Sequence, residues 1–476
     1  MRQHFYKAPY LCIMLLNDTI CALSTPQGMG AIAVIRLSGD DAFTVFDKIF
    51  TPYGKTTLSE TKGYTMLFGK IMQANILVDE VMAAVYRNPK SYTGEDTIEI
   101  NCHGSVYIQE QILRLLMENG ARMAEPGEYT MRAFANGKMD LSQAEAVGDL
   151  ISSESKAAHQ VAMQQMRGGF SSEIKELREE LINFTSLIEL ELDFGEEDVE
   201  FADRTQLYEL LSKITKALHR LINSFDTGNV IKNGVPVAIV GAPNAGKSTL
   251  LNVLLNEDRA IVTDIAGTTR DTIEDEIDIN GIKFRFIDTA GIRETEDVVE
   301  SIGIKKTFEK IDQSRIVLFL FNVEGLEKNP ELIYKEIDLL KSKTEDKSLL
   351  ILPNKIDLVK DTSALSLLKE EDNIIAISAL QKQGIDELIN HLTAEINLGA
   401  LNSNQTIVTN ARHYNALKLA LADIDQVKNG MDMEISGDLL ALDIRAALRN
   451  LGTIVGEIDV DKDILGNIFG KFCIGK

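Results

Sequence analysis

The sequence predicts a multidomain protein of α/β plus α class, in which an α-helical domain is interrupted by an inserted α/β domain. Residues 17 to 137 contain short alternating or apolar segments typical of strands, with one segment of helical spacing, and so predict an α+β domain. Apolar residues recur at helical spacing through residues 138 to 232, and again through residues 399 to 476. Between these helical parts, residues 233 to 398 alternate strand and helix patterns, as a mostly parallel sheet requires.

Composition restricts the class of protein further. The chain has 476 residues, of which 45% are hydrophobic and 25% charged, so it can build the cores of about three globular domains. Its net charge of −23 opposes broad binding to nucleic acid or anionic membrane, so an RNA contact would need a local basic patch or a partner's surface. No apolar run approaches the ~20 residues that span a bilayer. The cysteines lack metal-ligand or disulfide spacing, which predicts a reducing, cytoplasmic location; they are Cys12, Cys21, Cys102 and Cys473.

Residues 1 to 16, MRQHFYKAPYLCIMLL, form a short extension that is basic and then apolar. A signal peptide has this order, but the apolar core is very short here and no small-residue cleavage site follows. We therefore expect an N-terminal extension, or a start codon upstream of true initiation at Met14.

Within the first domain, strands are predicted in five segments: DTICALST, AIAVIRLS, GYTMLFGKI, LVDEVMAAVYR and DTIEINCHG. YIQEQILRLLMENG has helical spacing, and Gly28 and Gly30 interrupt the first hairpin. Two charged residues, Arg36 and Glu99, lie inside the apolar strands. Each taken alone is most simply on a solvent face, so this region does not by itself identify a ligand.

The helical domain is predicted from three segments before the inserted domain: LSQAEAVGDLISSESKAAHQVAMQQM, SSEIKELREELINFTSLIELELDF and QLYELLSKITKALHRLINSF. Asp203 or Thr205 is expected to cap the third of these helices. Helical spacing returns after the insertion in TNARHYNALKLALADIDQV and GDLLALDIRAALRNLGTIV.

Residues 235 to 255, VPVAIVGAPNAGKSTLLNVLL, contain a phosphate-binding motif in its proper context. An apolar strand at residues 237 to 240 leads into G-x-x-x-x-G-K-S, and a leucine-rich helix follows. The N–H groups of the loop and the helix N-terminus favour an anion. Lys247 would reach the β- and γ-phosphates, and the Ser248 hydroxyl would hold Mg²⁺. This Ras-like P-loop predicts a site for a nucleoside triphosphate.

Three further motifs occur in the order and spacing of GTPases. D-T-A-G at residues 288 to 291 places an acid where a water-mediated Mg²⁺ contact is expected. N-K-I-D at residues 354 to 357 ends in Asp357, whose carboxylate can accept the N–H groups at guanine N1 and N2, whereas adenine has an acceptor at N1. S-A-L at residues 378 to 380 completes the set, so the predicted nucleotide is GTP. The strands that the three motifs follow are predicted at residues 284–287, 349–352 and 374–377.

The segment after D-T-A-G lacks the water-orienting glutamine of Ras-like proteins, because Ile292 occupies its position. Another group must then neutralise transition-state charge, as an arginine finger does elsewhere. Asn244 in the P-loop could offer its carbonyl oxygen to a monovalent cation, the alternative being an ordinary turn asparagine. In TDIAGTTRD, residues 263 to 271, Thr269 is placed as the switch threonine on Mg²⁺. The predicted GTP-binding residues are Asn244, Ala245, Gly246, Lys247, Ser248, Thr249, Thr263, Asp264, Ile265, Ala266, Gly267, Thr268, Thr269, Asp288, Thr289, Ala290, Gly291, Asn354, Lys355, Asp357, Ser378 and Ala379.

Taken together, GAPNAGKS, TDIAGTTRD, DTAGIR and the terminal FCIGK resemble the MnmE (TrmE) family of tRNA uridine-34 modification GTPases. The resemblance covers residues 17 to 476 in the right order, and FCIGK is highly specific to the family. It implies an N-terminal domain of folate-binding fold that dimerises and binds 5-formyltetrahydrofolate. The extension at residues 1 to 16 is the one clear departure.

The resemblance also implies roles for individual residues. The catalytic glutamate of the family falls on Glu300, which alone would be interpreted as a surface charge. Its tail cysteine falls on Cys473, as either a reactive or a merely positional residue. If Lys476 binds folate, the tail must fold back to the N-terminal domain. The implied ligands are Arg36, Glu99, Lys138 and Lys476 for folate, and Asn244, Thr263, Ile265 and Thr268 for K⁺, several through backbone oxygens.

The activity implied is K⁺-assisted GTP hydrolysis coupled to pairing of GTPase domains. With the flavin-dependent MnmG, in a heterotetramer, the protein would add a carboxymethylaminomethyl group at C5 of the tRNA wobble uridine, using a folate carbon. One alternative is a ribosome-assembly GTPase of the Era or Der kind, which shares G-x-P-N-x-G-K-S but appends basic RNA-binding modules that have no counterpart of that size here. Another is a non-enzymatic scaffold whose GTP site only switches conformation.

Overall fold

The computed structural model of the protein describes residues 18–54, 57–193, 204–256, 260–261, 275–287, 308–345, 347–359, 365, 368, 373–396, 406–456 and 475. These residues form two compact units. The first contains the described residues of Met1–Ile151, Gln164–Lys216 and Ala416–Lys476, and the second those of Ser152–Met163 and Ala217–Asn415. Each unit combines a β-sheet with helices, which confirms the predicted multidomain α/β plus α class.

The sheet of the first unit has seven strands in the order β3-β4-β5-β6-β2-β1-β7. Neighbouring strands are antiparallel, except that β1 and β7 are parallel. All five predicted strand segments are confirmed. The strands are β1 (Ile20–Leu23), β2 (Ile32–Ser38), β3 (Phe50–Pro52), β4 (Thr65–Gln73), β5 (Ile76–Tyr86), β6 (Thr97–His103) and β7 (Arg122–Met123).

Alternation along these strands separates the two faces of the sheet. One face carries the apolar core, with Ile35, Ile98 and Val85 fully buried beside helices α1 (Ala42–Asp47) and α2 (Val106–Glu118). The opposite face carries a row of residues paired across four strands. In register from β4 to β2, this row is Met66, Ala84, Glu99 and Arg36.

Helix α3 (Glu128–Ala135) also belongs to the first unit, where Tyr129 packs with Ile20 and Ala22 of β1. The helical part of the same unit includes α4 (Leu141–Ile151), α6 (Gly169–Asp193) and α13 (Gly437–Val455), with α13 lying along α6 and α4. Three more helices contribute residues to both units: α5 (Lys156–Met166), α7 (Arg204–Asn233) and α12 (Ala411–Asp432).

Two details of the helical prediction need correction. The segment predicted as one run over residues 141 to 166 is two helices, α4 and α5, because the Ser155 hydroxyl accepts a hydrogen bond from Ala158 N at 3.2 Å and so caps a new helix. Helix α7 begins at Arg204, so Thr205 is inside the helix and does not cap it. Asp203, the other expected cap, lies outside the described residues.

The second unit contains a six-stranded sheet in the order β13-β12-β8-β11-β10-β9. Strands β11, β8, β12 and β13 are parallel to one another, as the alternating pattern predicted, whereas β9 and β10 join the edge antiparallel. The strands are β8 (Val235–Val240), β9 (Ala260–Ile261), β10 (Asp275–Ile279), β11 (Ile282–Phe286), β12 (Ile316–Asn322) and β13 (Ser348–Asn354). The helices are α8 (Lys247–Leu255), α9 (Val323–Lys328), α10 (Pro330–Lys343) and α11 (Ile385–Ala394).

The strand expected at residues 374 to 377 is reduced to a bridge between Ile374 and Ile351 of β13. Two further hydrogen bonds continue the pairing, from Ile377 N to Pro353 O at 2.8 Å and from Ile375 N to Ile351 O at 3.0 Å. The chain then turns, because Ser378 exchanges both backbone hydrogen bonds with Gln383 at 3.1 Å. The prediction was therefore right about the direction and wrong about the length. In the part of the chain that the structure describes, no helix is long and apolar enough to cross a membrane.

Candidate functional site

The phosphate-binding loop runs from the end of β8 to the start of α8, and two glycines allow its path. A Cβ at Gly241, where φ is +153°, would collide with the carbonyl oxygen of Leu320. A Cβ at Gly246, where φ is +103°, would collide with the side-chain nitrogen of Asn354. Both positions therefore require glycine, which explains the spacing of the motif. Ser248 and Thr249 follow in the first turn of α8 and are exposed.

Lys247 is directed back onto this loop. Its Nζ donates to the carbonyl oxygens of Gly241 at 2.7 Å and Ala242 at 2.8 Å. Burial lowers the pKa of Lys247, and the charge of Lys310 lowers it further. The ammonium group thus lies at the P-loop, as the motif predicts, and partly desolvated.

Asn354 joins the P-loop to the S-A-L turn. Its Nδ2 donates to Ala245 O at 2.7 Å, and its Oδ1 accepts from Ala379 N at 3.0 Å. The side chain is 2% exposed, so these bonds form away from water, where they are costly to lose. One buried amide therefore fixes the relative position of two predicted GTP-binding segments.

Asp357 lies beside the same turn. The hydroxyl of Ser378 donates to Asp357 Oδ1 and accepts from Gln381 N at 3.2 Å. Among the described residues, the second carboxylate oxygen of Asp357 has no hydrogen-bond partner, and the residue is exposed. It is thus placed to accept N–H groups of a ligand. Lys355 precedes it in the left-handed region, at φ +65°.

The described P-loop, N-K-I-D and S-A-L residues therefore meet at the carboxyl ends of parallel strands, where ligands of open α/β sheets bind. Asn244 lies in the P-loop with φ +62° and is exposed. No group of three His, Cys, Asp or Glu side chains suited to a metal occurs within the described ranges. The predicted residues that lie outside those ranges are Thr263, Asp264, Ile265, Ala266, Gly267, Thr268, Thr269, Asp288, Thr289, Ala290, Gly291, Glu300, Cys473 and Lys476.

A second cluster of predicted residues lies in the first unit. The Arg36 guanidinium donates twice to Oε1 of Glu99, from Nε at 3.0 Å and from Nη2 at 2.7 Å. The side chains are 15% and 25% exposed. The hydroxyl of Tyr86 approaches the other oxygen of Glu99, at 3.4 Å. The two charges interpreted separately as surface residues therefore form one partly buried pair.

The loop between β5 and β6 links this pair to Lys138. Nζ of Lys138 donates to Pro89 O at 2.8 Å, and the Lys138 stem packs against Gly94. The same loop carries Tyr92, whose ring centroid is 5.2 Å from the guanidinium carbon of Arg36. Sequence reasoning missed Tyr92, since an aromatic residue in a loop has no signal in its spacing.

The end of the chain also reaches this region. The hydroxyl of Ser24, directly after β1, donates to Gly475 O at 3.2 Å. Gly475 is buried at φ +100°, and a Cβ there would collide with the carbonyl oxygen of Leu23. The register of β1 and β2 pairs Ala22 with Arg36. The residue before Lys476 therefore lies against the strand next to Arg36.

Comparison with known proteins covers nearly the whole chain. The family model described as MnmE helical domain matches residues 141–473, and that described as GTP-binding protein TrmE N-terminus matches residues 19–138. The tRNA modification GTPase MnmE of Flavobacterium johnsoniae is 58% identical over 467 residues, covering 97% of this chain and 100% of that protein. The same protein of Bacteroides fragilis is 55% identical over 469 residues, with 97% and 100% covered. A crystal structure of Aquifex aeolicus Era bound to GDP.AlF4- is 28% identical, covering 39% of this chain and 65% of that one, with a TM-score of 0.25.

Proposed function

Because this chain belongs to the MnmE family of tRNA modification GTPases, we propose that its GTP hydrolysis drives a folate-dependent modification of the wobble uridine. The protein is a GTPase that takes part in tRNA modification. In the finer proposal it acts with MnmG, in a heterotetramer, and adds a carboxymethylaminomethyl group at C5 of uridine 34. The carbon comes from 5-formyltetrahydrofolate or a related folate, and the reaction takes place in the cytoplasm.

GTP is proposed to bind at the P-loop and the N-K-I-D and S-A-L motifs. Asp357 accepts from the guanine edge, since the residue is exposed and its second oxygen has no partner among the described residues. The N–H groups at the start of α8 and the Lys247 ammonium bind the phosphates. These donors also stabilise the charge that develops on the phosphate oxygens in the transition state. The exposed hydroxyl of Ser248, together with Thr269, suits Mg²⁺, which prefers oxygen ligands.

K⁺ is proposed to take the place of an arginine finger. Ile292 cannot orient water, so charge neutralisation must come from another group. The amide of Asn244 is exposed on a loop residue at φ +62°, a conformation that asparagine tolerates, and amide oxygen is a suitable alkali-cation ligand. Glu300 is proposed to orient the attacking water. The remaining proposed K⁺ ligands are Thr263, Ile265 and Thr268.

The folate site is proposed at the Arg36–Glu99 pair, with Lys138 and Lys476. A pterin offers neighbouring donors and acceptors, and an arginine–carboxylate pair offers the complementary set. The contact between Ser24 and Gly475 supports the participation of Lys476, because it brings the preceding residue to the strand beside Arg36. Cys473 is proposed to act near the same place.

A homodimer is proposed through the open face of the first sheet. Met66, Phe68 and Met82 are 55%, 48% and 38% exposed on that face, and Phe68 pairs directly with Met82. Exposed apolar groups that adjoin one another commonly mark an interface. The face continues across the strands to Arg36, so a second copy would lie next to the proposed folate site.

The proposed domain limits are those expected from the sequence pattern: an extension at residues 1–16, a folate-binding and dimerisation domain at 17–137, helical parts at 138–232 and 399–476, and a GTPase domain at 233–398.

The Era or Der alternative loses support, because relatives that match over their full length are tRNA modification GTPases. Turnover of GTP separates the enzyme from a scaffold that only switches conformation.

The observation that carries the proposal is the presence in one chain of a GTPase-type site and a separate arginine–carboxylate pair that the chain end approaches. The test is mass spectrometry of wobble nucleosides in a deletion strain complemented with this protein. Restored carboxymethylaminomethyl uridine is expected, and complementation by the Lys247→Ala variant is not. Restoration by that variant would contradict a role for GTP, and a failure of the unaltered protein would contradict the function.

A further inference from the structure

Two tyrosines contact the side chain of Arg36 from outside its strand. The guanidinium carbon lies 5.2 Å from the ring centroid of Tyr92 and 5.4 Å from that of Tyr129. The Tyr129 hydroxyl also donates to the backbone oxygen of Arg36 at 2.8 Å. Both rings are within the distance at which a cation is attracted to an aromatic face.

These tyrosines are themselves held in place. Tyr129 is fully buried, and the hydroxyl of Tyr92 shares a hydrogen bond with that of Thr130 at 2.9 Å. Tyr129 and Thr130 are consecutive residues of α3, so one short helix fixes both rings. The loop that carries Tyr92 is also tied to the C-terminal end of α3 by Asn136, whose Nδ2 donates to Thr93 O at 2.8 Å.

Helix α3 is anchored by an ionic cluster around the buried side chain of Arg132. Arg132, with 0% exposure, contacts Asp18 at 2.6 Å, Glu128 at 2.9 Å and Glu95 at 3.2 Å. Burial raises the pKa of Glu95, although Arg132 and a hydrogen bond from Ser38 oppose that change. A movement of α3 would separate Arg132 from these carboxylates and leave a buried charge without partners, which is costly. The network therefore leaves α3 little freedom to move.

We propose that Tyr92 and Tyr129 are positioning residues that hold the Arg36 guanidinium in the orientation in which it binds its ligand. Within the described part of the chain, Nε and Nη2 bond to Glu99, while Nη1 has no hydrogen-bond partner. The two rings restrict the rotamers of the Arg36 side chain before the ligand binds. Binding then costs less conformational entropy than it would for a freely rotating arginine. The free edge, Nη1, is thereby presented to a polar ligand.

This inference rests on the proposed folate site for the identity of that ligand, and it is tested on the full-length protein by two measurements. One is the affinity for 5-formyltetrahydrofolate, by equilibrium dialysis. The other is the rate at which phenylglyoxal modifies Arg36, followed by peptide mass spectrometry, which needs no ligand. Thermal midpoint and GTP turnover are recorded for every variant to detect general damage.

Tyr92→Leu removes one ring, and we expect it to weaken folate binding roughly tenfold and to speed the modification of Arg36 several-fold. Tyr92→Phe keeps the ring and loses only its bond to Thr130, so both quantities should stay closer to the original values than in Tyr92→Leu. Tyr129→Phe keeps its ring but loses the bond to Arg36 O, and should weaken folate binding by a smaller factor. Phe43→Leu is the matched control, because the Phe43 ring lies 4.3 Å from another guanidinium, that of Arg87, in the same unit.

Unchanged folate affinity and unchanged modification of Arg36 in Tyr92→Leu would overturn this inference and leave the proposed folate site standing. An equal effect from Phe43→Leu would also overturn it, since the loss would then be general. If the unaltered protein does not bind the folate, the ligand proposal fails, while the phenylglyoxal rates still decide whether Tyr92 holds Arg36.

Discussion

The side-chain amide of Asn354 donates to the carbonyl oxygen of Ala245 at 2.7 Å, and so joins the end of β13 to the P-loop 109 residues earlier. The same amide accepts from Ala379 N. Asn354 therefore serves two functions: it ends the strand that leads to Asp357, and its bonds shape the phosphate loop.

Asn354→Ala should weaken GTP binding about tenfold or more, because two buried backbone groups lose their partner at about 1–3 kcal/mol each. The measurement is fluorescence titration with a labelled GTP analogue. Asn256→Ala is the control, because that amide bonds to Asn252 O at an exposed helix end. Normal affinity in Asn354→Ala would mean that the loop keeps its shape without the bond.

Asn244→Ala should abolish the rise in GTP turnover that we expect in K⁺ relative to Na⁺. The reason is the loss of a proposed K⁺ ligand in a protein whose Ile292 cannot orient water. Turnover would be followed by phosphate release in matched chloride salts. Asn280→Ala is a suitable control, because Asn280 also has positive φ but lies in the hairpin between β10 and β11. Equal rates in both salts for the unaltered protein would refute the role of K⁺.

Glu300→Ala should slow GTP hydrolysis by roughly 10²-fold or more while GTP affinity stays near normal, since a group that orients water acts in the transition state. Single-turnover hydrolysis and equilibrium binding would be measured on one preparation. Glu296→Ala, in the same acidic segment, is the control. A large loss of affinity would instead indicate that Glu300 supports the structure.

Cys21 and Cys102 should resist alkylation in the folded protein. Both are buried, and burial raises the pKa of Cys21 to about 12 and that of Cys102 to about 11. At pH 8 the thiolate, which is the reactive form, is then about one part in 10⁴ of Cys21 and one part in 10³ of Cys102. Labelling by iodoacetamide should rise about tenfold per pH unit below each pKa and become complete on denaturation. Rapid labelling of either residue at pH 8 would show that the hydrophobic core of the first unit opens.

The GTPase motifs could be found from the sequence because their spacing is local: a glycine-rich turn and a strand end are each specified by a few neighbours. The contact between Arg36 and Glu99 could not be predicted from the sequence pattern, because the partners are 63 residues apart and only the register of β2 and β6 brings them together. Tyr129 gave no signal either, because no helix was predicted at residues 128 to 135 and its contact with Arg36 spans 93 residues of sequence. The break before Ser155 was missed because one hydroxyl cap outweighs continuous helical periodicity.

The chain end provides the last prediction. Removing residues 473 to 476 should abolish uridine modification and leave basal GTP hydrolysis near normal. The truncation removes Gly475, whose carbonyl oxygen accepts from Ser24 just after the strand beside Arg36, and it removes none of the described GTP-site residues. Lys476 also offers an ammonium group, which suits a polar ligand. A frayed terminus is the commoner fate of last residues, but Gly475 is buried.

A subtler variant keeps the length of the tail. Gly475→Ala should also reduce modification, because its Cβ would collide with the carbonyl oxygen of Leu23 at a φ that only glycine adopts easily. Gly28→Ala is the matched control, since Gly28 also has positive φ, +122°, but its Cβ would have open space. GTP turnover would be measured on each protein alone, and modified uridine with MnmG and tRNA. Intact modification by the truncated protein would refute the role of the tail, and a parallel collapse of GTP turnover would mean that the tail supports the fold.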